Sequence, residues 1–225
     1  MRVGWLVLAT LCLLPGIGLA GTVWTPGGSH AVPVVSLKEA RFHAVIRQQY
    51  DYSCGAAALA TLLTYHYDDV VAEATVFDSM LTQANRAVVE QQGFSMLDMK
   101  NFLEARGYPA DGFRADLDAL AENGIPAIAL INVNGYRHFV VVKGVTDDEV
   151  LIGDPALGVR VYGRSTFQEI WNGLLFVILD KANIAGKSFN DAATWRVRTR
   201  APFGLALQQP GLSGFTLSLP RSGDY

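Results

Sequence analysis

The sequence reads as an α+β chain with N-terminal helices packed on a C-terminal antiparallel sheet. Two observations lead there. Up to about residue 122 the apolar residues recur with a helical period, and Cys54 to Tyr67 is apolar nearly all round. From Ile125 onward they fall into short β-branched runs separated by turn residues.

The first 20 residues stand outside that fold. Arg2 gives a short positive region, Trp5 to Leu14 is apolar apart from Thr10, and Pro15 and Gly16 end the run. Gly18-Leu19-Ala20 offers small residues at −3 and −1, so residues 1–20 are expected to be a secretory signal peptide cut after Ala20. An uncleaved anchor is the rival reading, but the stretch is short against the ~20 residues a span needs. Residues 21–39 contain Gly, Pro, Ser and Thr with little periodicity and read as a linker or extended lead-in.

The globular domain is expected over residues 40–181. Its first helix is the buried one, Cys54 to Tyr67. Phe77 to Gln91 and Met96 to Arg106 are two more. Ser95 caps the latter, with Asp98 in its first turn and Gly107 as its stop. Leu117 to Glu122 is a short helix closed by Asn123-Gly124. Strands follow at Ile125 to Val133, Phe139 to Val145, Val150 to Gly153, Val159 to Tyr162 and Leu174 to Leu179. Residues 182–225, rich in Gly, Ser, Pro and Arg, form a C-terminal extension with no element assigned.

The net charge is −3, and without the signal peptide seventeen basic residues face twenty-one acidic ones. A weakly acidic chain of mixed sign is no nucleic-acid binder. Past residue 20 no apolar run reaches ~18 residues, so the mature chain is expected to be soluble. The histidines and the single mature thiol lack metal-ligand spacing, and there is no G-x-x-x-x-G-K-[ST] phosphate loop. No metal and no cofactor is expected.

Of two cysteines, Cys12 leaves with the signal peptide and Cys54 remains, so no internal disulfide is available. A lone thiol is often only a small buried hydrophobe. The neighbours of Cys54 argue otherwise. It opens a helix, whose positive end favours a thiolate, and Gly55 with the alanines after it permits close packing. Gln48, six residues upstream, can donate to an oxyanion beside the backbone N–H of Cys54.

The base is sought among His30, His43, His66 and His138. His30 lies in the linker, and His43 reads as a surface residue. His66 sits about 12 residues down the helix, ~18 Å from Cys54, and suits the negative helix end. His138 opens a strand that can face the helix start. A hairpin turning at Thr146-Asp147-Asp148 puts His138 and Asp154 at equal distances from the turn, hence expected opposite one another ~5 Å apart. Asp154 is then the carboxylate that orients the imidazole. Cys54, His138, Asp154 and Gln48 are the candidate catalytic residues of an acyl-transfer site.

Gln48-x5-Cys54-Gly55, the His138-Phe-Val-Val-Val strand, Asp154-Pro155 and Leu97-Asp-Met-Lys-Asn-Phe-Leu-Glu-Ala-Arg-Gly107-Tyr108 resemble the C39 peptidases over about residues 42–180. The resemblance implies a papain-like fold and thiol-dependent cleavage of a polypeptide. Many members are cytoplasmic domains fused to a membrane transporter and an ATP-binding cassette, cut after a double glycine, and carry Asp where this chain has Ser53. The whole chain is similar to the free-standing exported members that serve functional-amyloid secretion in Gram-negative bacteria. A periplasmic location, and amyloid subunits or secretion-system proteins as partners, are what that similarity implies. The competing class is a catalytically silent binding or chaperone module. Its usual mark, loss of the cysteine or histidine, is missing here. Acyl transfer to an amine stays open beside hydrolysis.

Overall fold

A computed structural model describes residues 20–25, 28–33 and 37–197, which divide into two units at Ala40. In the N-terminal unit β1 (Ala20–Thr25) pairs antiparallel with β2 (Gly28–Pro33), from Ala20 opposite Pro33 to Thr25 opposite Gly28, and the single turn α1 (Leu37–Ala40) follows. The stretch read as a linker thus contains a hairpin. The expected signal peptide lies outside the described residues apart from Ala20.

The second unit begins with α2 (Cys54–His66), α3 (Glu73–Leu81), α4 (Arg86–Gln92) and α5 (Met96–Ala105). Then come β3 (Ala110–Arg114), α6 (Leu117–Asn123), β4 (Ala127–Val133), β5 (Tyr136–Val145), β6 (Glu149–Asp154), β7 (Gly158–Gly163), α7 (Arg164–Ile170), β8 (Trp171–Ile178), α8 (Ala182–Ala185) and α9 (Ala192–Trp195). Six strands form one antiparallel sheet in the order β3-β8-β4-β5-β6-β7. Strands β4 to β7 are the expected meander. β8 returns to pair with the free side of β4, and β3 adds itself outside β8.

Apolar burial follows from this order. α2 lies on the middle of one face, where Leu59, Leu62 and Leu63 join Met99, Leu103, Val141 and Phe176. The other face is closed by α6 and α7 through Leu117 and Phe167 against Val140, Val142 and Ile152. A sheet covered on both faces needs apolar residues at successive positions rather than alternate ones, which is why β4 reads AIALINV. A methyl on Gly55 would touch Phe94 Cβ at 3.4 Å and Phe139 Cδ2 at 3.5 Å, so the glycine seats α2 close to β5.

The α+β reading holds, with local corrections. Phe77 to Gln91 is two helices, because Asn85 takes an extended conformation and its side chain accepts from Ala87 N, restarting the chain as α4. The capping box at Ser95 and Asp98 and the left-handed Gly124 are where the sequence puts them. β3, α7, α8 and α9 are additions, the last two within the expected C-terminal extension, whose residues 198–225 lie outside the described residues. The hairpin register also differs. Val141 opposes Gly153 and Val142 opposes Ile152, but Gly144 opposes Leu151, so Lys143 is an extra bulged residue. The turn itself is the pair Asp147-Asp148, closed by Thr146 N donating to Glu149 O at 2.8 Å. Continuing the register puts Asp154 opposite Val140, two residues from His138.

Candidate active site

Cys54 is the first residue of α2. The loop before it is fixed by its own backbone. Ser53 Oγ donates to Tyr50 O at 3.0 Å and accepts from Tyr50 N at 3.1 Å, while Gln48 Nε2 donates to Tyr50 O at 3.0 Å. Ser53 therefore folds the loop and does not cap α2 with its side chain. Cys54 is the free cysteine among the described residues, and it is 6 % exposed. Burial pushes its thiol up, the backbone N–H groups of Phe139, Gly55 and Cys54 itself pull it down, and the Asp154 charge adds to the rise. The sequence predicts a thiolate favoured by the helix start; in the fold, desolvation outweighs those donors.

His138 and Asp154 meet despite the shifted register. His138 Nε2 lies 3.1 Å from Asp154 Oδ2, and the two residues are 5 % and 1 % exposed. A two-residue offset keeps both on the same face of the sheet, and a diagonal pair is within reach of long side chains. Asp154 Oδ1 accepts from Ala156 N at 2.8 Å and from Leu157 N at 3.1 Å. The Asp-Pro pair is thus a strand-ending turn and a carboxylate mount at once. With Nε2–H donated to Asp154, Nδ1 carries the lone pair, and it has no hydrogen-bond partner. The residue after His138 is Phe139, whose N–H reaches the Cys54 sulfur.

Gln48 is tied to the same turn, since its backbone N donates to Pro155 O at 3.0 Å. Its Oε1 is buried without a partner. Neighbouring Gln49 is exposed, and its N–H points to Glu73 Oε1 at 3.4 Å. His43 is exposed. His66 is buried at the far end of α2, between Lys143 Nζ and Ser188 Oγ. Burial, then the Lys143 charge, hold its pKa well below the ordinary value, so it is neutral and no partner for the helix dipole.

Three features are not apparent in the motif. They are the turn amides of Ala156 and Leu157, the Phe139 N–H, and Tyr136, whose ring lies 5.1 Å from the His138 ring at 31°. Tyr136 has the i, i+2 spacing that puts two strand residues on one face. A cleft of about 480 Å³ opens at Cys54 and runs past Val88, Phe94, Met96, Leu130 and Leu174. Asn85, Gln92, Ser95, Asp98 and Arg137 share its walls with these apolar residues, so the cleft is mixed in character.

A helix-start cysteine, a histidine and aspartate on neighbouring strands, and helices on an antiparallel sheet define the class of papain-like cysteine peptidases. Within it, the chain belongs to the peptidase C39 family, whose model matches residues 43–183. It is 44% identical over 188 residues to the "Probable functional amyloid protease FapD" of Pseudomonas fluorescens, covering 78% of this chain and 82% of that one. The protein of the same name from Pseudomonas aeruginosa is 40% identical over 178 residues, covering 77% and 79%. Among solved structures, the fold is similar to the peptidase domain of Streptococcus ComA, a bi-functional ABC transporter involved in quorum sensing. The TM-score is 0.52 at 24% identity, over 60% of this chain and 97% of that one. The chain is a cysteine peptidase.

Proposed function

We propose that this peptidase is an exported endopeptidase that cleaves a peptide bond in an exported protein partner during functional-amyloid biogenesis, working in the periplasm. The observation that carries the chemistry is the buried His138 Nε2–Asp154 Oδ2 contact, with Nδ1 left to accept a proton. The relatives' names support the amyloid setting, and the signal-like first 20 residues support export.

In this reading His138 Nδ1 takes the Cys54 proton as Sγ attacks the scissile carbonyl carbon. The oxygen gains the charge, and Gln48 Nε2 and the Cys54 N–H donate to it. Collapse breaks the C–N bond, and the leaving amine takes the proton back from Nδ1–H. Water, deprotonated by His138, then attacks the thioester, releasing the carboxylic acid and the thiol. Asp154 keeps Nε2 protonated and stabilises the imidazolium as it forms.

Purified chain is incubated with a co-secreted amyloid subunit, and the products are read by intact-mass spectrometry. One new pair of termini is expected with the parent chain and none with Cys54→Ala, which should still bind the subunit. Cleavage by the alanine variant would remove Cys54 as nucleophile.

A further inference from the structure

Tyr136 stands over the catalytic cluster and no step above uses it. Its ring is tilted on the His138 imidazole at 5.1 Å and 31°. Its hydroxyl donates to Asp51 O at 3.1 Å, which ties the start of β5 to the loop between Gln48 and Cys54. Gln48 Nε2 donates to Tyr50 O, the carbonyl just before Asp51, so the carbonyl that Tyr136 holds and the one that holds the Gln48 amide are neighbours in one loop. One side chain thus touches the base and the loop that runs from the oxyanion donor to the nucleophile.

We propose that Tyr136 is a positioning residue for this reaction, its ring fixing the plane of His138 and its hydroxyl, through Asp51 O, fixing the loop on which the amide of Gln48 rests. The proposal rests on the reading of Cys54, His138, Asp154 and Gln48 given above. The two halves act differently. The ring covers one face of the imidazole, shields the His138–Asp154 hydrogen bond from water, and keeps Nε2–H aimed at the carboxylate. The hydroxyl donates its one proton to Asp51 O, next to the Tyr50 carbonyl that accepts one Nε2–H of Gln48. That holds the loop on which the amide rests and leaves its second Nε2–H for the oxyanion. Burial, as the largest influence, raises the pKa of the hydroxyl, which keeps it a neutral donor wherever the peptidase works.

Two probes of the full chain separate these roles. Iodoacetamide alkylation of Cys54 displaces iodide and develops no oxyanion, so it reports on the thiol and its base. Acylation by p-nitrophenyl acetate forms an Sγ–C bond, breaks the ester C–O bond and releases p-nitrophenolate through an oxyanion, so it also reports on Gln48. Tyr136→Phe keeps the ring. It is expected to slow acylation about tenfold or more, against the ~10²–10³ a whole oxyanion donor is worth, and to leave alkylation within about twofold. In the double variant with Gln48→Ala it should add nothing to the loss from Gln48→Ala alone. Tyr136→Leu should slow both reactions.

Wild-type acylation in Tyr136→Phe, equal slowing of both reactions, or full additivity with Gln48→Ala overturns the role of the hydroxyl. Wild-type alkylation in Tyr136→Leu overturns that of the ring. Cys54→Ala and His138→Ala are run alongside. If either still acylates, the catalytic reading itself falls and takes the proposal with it. If both are silent while the Tyr136 variants match the parent chain, Tyr136 alone is retired. Thermal unfolding midpoints close to that of the parent chain certify that each variant is folded.

Discussion

At the scale of single residues, Asp154 shows most clearly how one side chain can do two jobs. Oδ1 is committed to the amides of Ala156 and Leu157, and Oδ2 to His138. Asp154→Asn keeps the size and one acceptor oxygen. If that oxygen stays on the turn amides, the NH2 faces Nε2, which must then accept, and the ring proton moves to Nδ1 where it blocks the thiol. Turnover is expected to drop about 10³-fold or more, with the unfolding midpoint within a few degrees of the parent chain. Turnover within threefold of the parent would show that Asp154 orients nothing. The helix-start position of Cys54 and the meeting of His138 with Asp154 were legible in the sequence, because a run of small residues after a lone thiol marks a buried helix and a single hairpin joins the other two. The environment of the thiol was not. A helix start argues for a thiolate, but how deeply Cys54 sinks between Phe139 and its neighbours is a property of packing, and it pushes the thiol the other way.

At the scale of elements, the β-branched strand runs and capped helices were readable because each is specified locally. Three things were not. β3 reads ADGFR, with a glycine and two charges and no alternation, and is a strand only because β8 lies beside it. The helix break at Asn85 depends on a side chain choosing to cap rather than continue. The hairpin offset comes from the bulge at Lys143, which equal counting from a turn cannot foresee. One glycine does follow from local geometry. Gly158 has φ +82°, and a Cβ there would lie 2.6 Å from Arg41 O and 2.8 Å from Arg41 C. Val159 N also donates to Arg41 O at 2.7 Å, so the segment from Arg41 to Gln48 is laid along the turn that holds Asp154. Gly158→Ala is expected to lower the free energy of unfolding by about 2 kcal/mol, from left-handed strain and a clash with backbone that cannot swing away. It should also reduce turnover by displacing Gln48. Gly163→Ala is the control, since its Cβ would meet only Thr166 Oγ1 at 3.8 Å, and should change stability by less than about 0.5 kcal/mol. Equal urea midpoints for the two variants would show that the close approach at Arg41 is not a constraint.

At the scale of the whole molecule, Lys143 joins parts of the chain that are far apart in sequence. Its side chain is 2 % exposed, donates to Ala44 O at 3.0 Å, meets His66 Nε2 at 2.8 Å and lies over the Tyr65 ring at 5.3 Å. Its backbone O accepts from Asn190 N at 2.9 Å, and Asn190 Nδ2 reaches Val145 O at 3.0 Å. The bulge therefore fastens the sheet, the end of α2, the lead-in at Ala44 and a segment beyond residue 183, where the family match ends. In the sequence Lys143 is one more residue inside the strand expected from Phe139 to Val145, which hides all of this. Burial lowers the Lys143 pKa from 10.5 to about 7, and the Asp191 charge only partly opposes it. Between those two values the unfolded chain holds a proton that the folded chain has released, so folding is increasingly favoured as pH rises from about 7 toward 10.5. Below about 7 the burial penalty is present in full. His66, also held neutral, adds a loss of the same sign in acid, while the raised thiol of Cys54 and raised phenols of Tyr108 and Tyr136 act oppositely at the alkaline end. Comparing Lys143→Met with the parent chain removes those shared contributions. The stability of the parent chain relative to Lys143→Met is expected to rise by about 1–2 kcal/mol between about pH 7.5 and pH 9, read from urea midpoints, since one proton is worth at most ~1.4 kcal/mol per pH unit. A difference that stays flat across that window would mean that Lys143 keeps its proton in the fold and that the ammonium, held by Ala44, His66 and the Tyr65 ring, is tolerated as a buried charge.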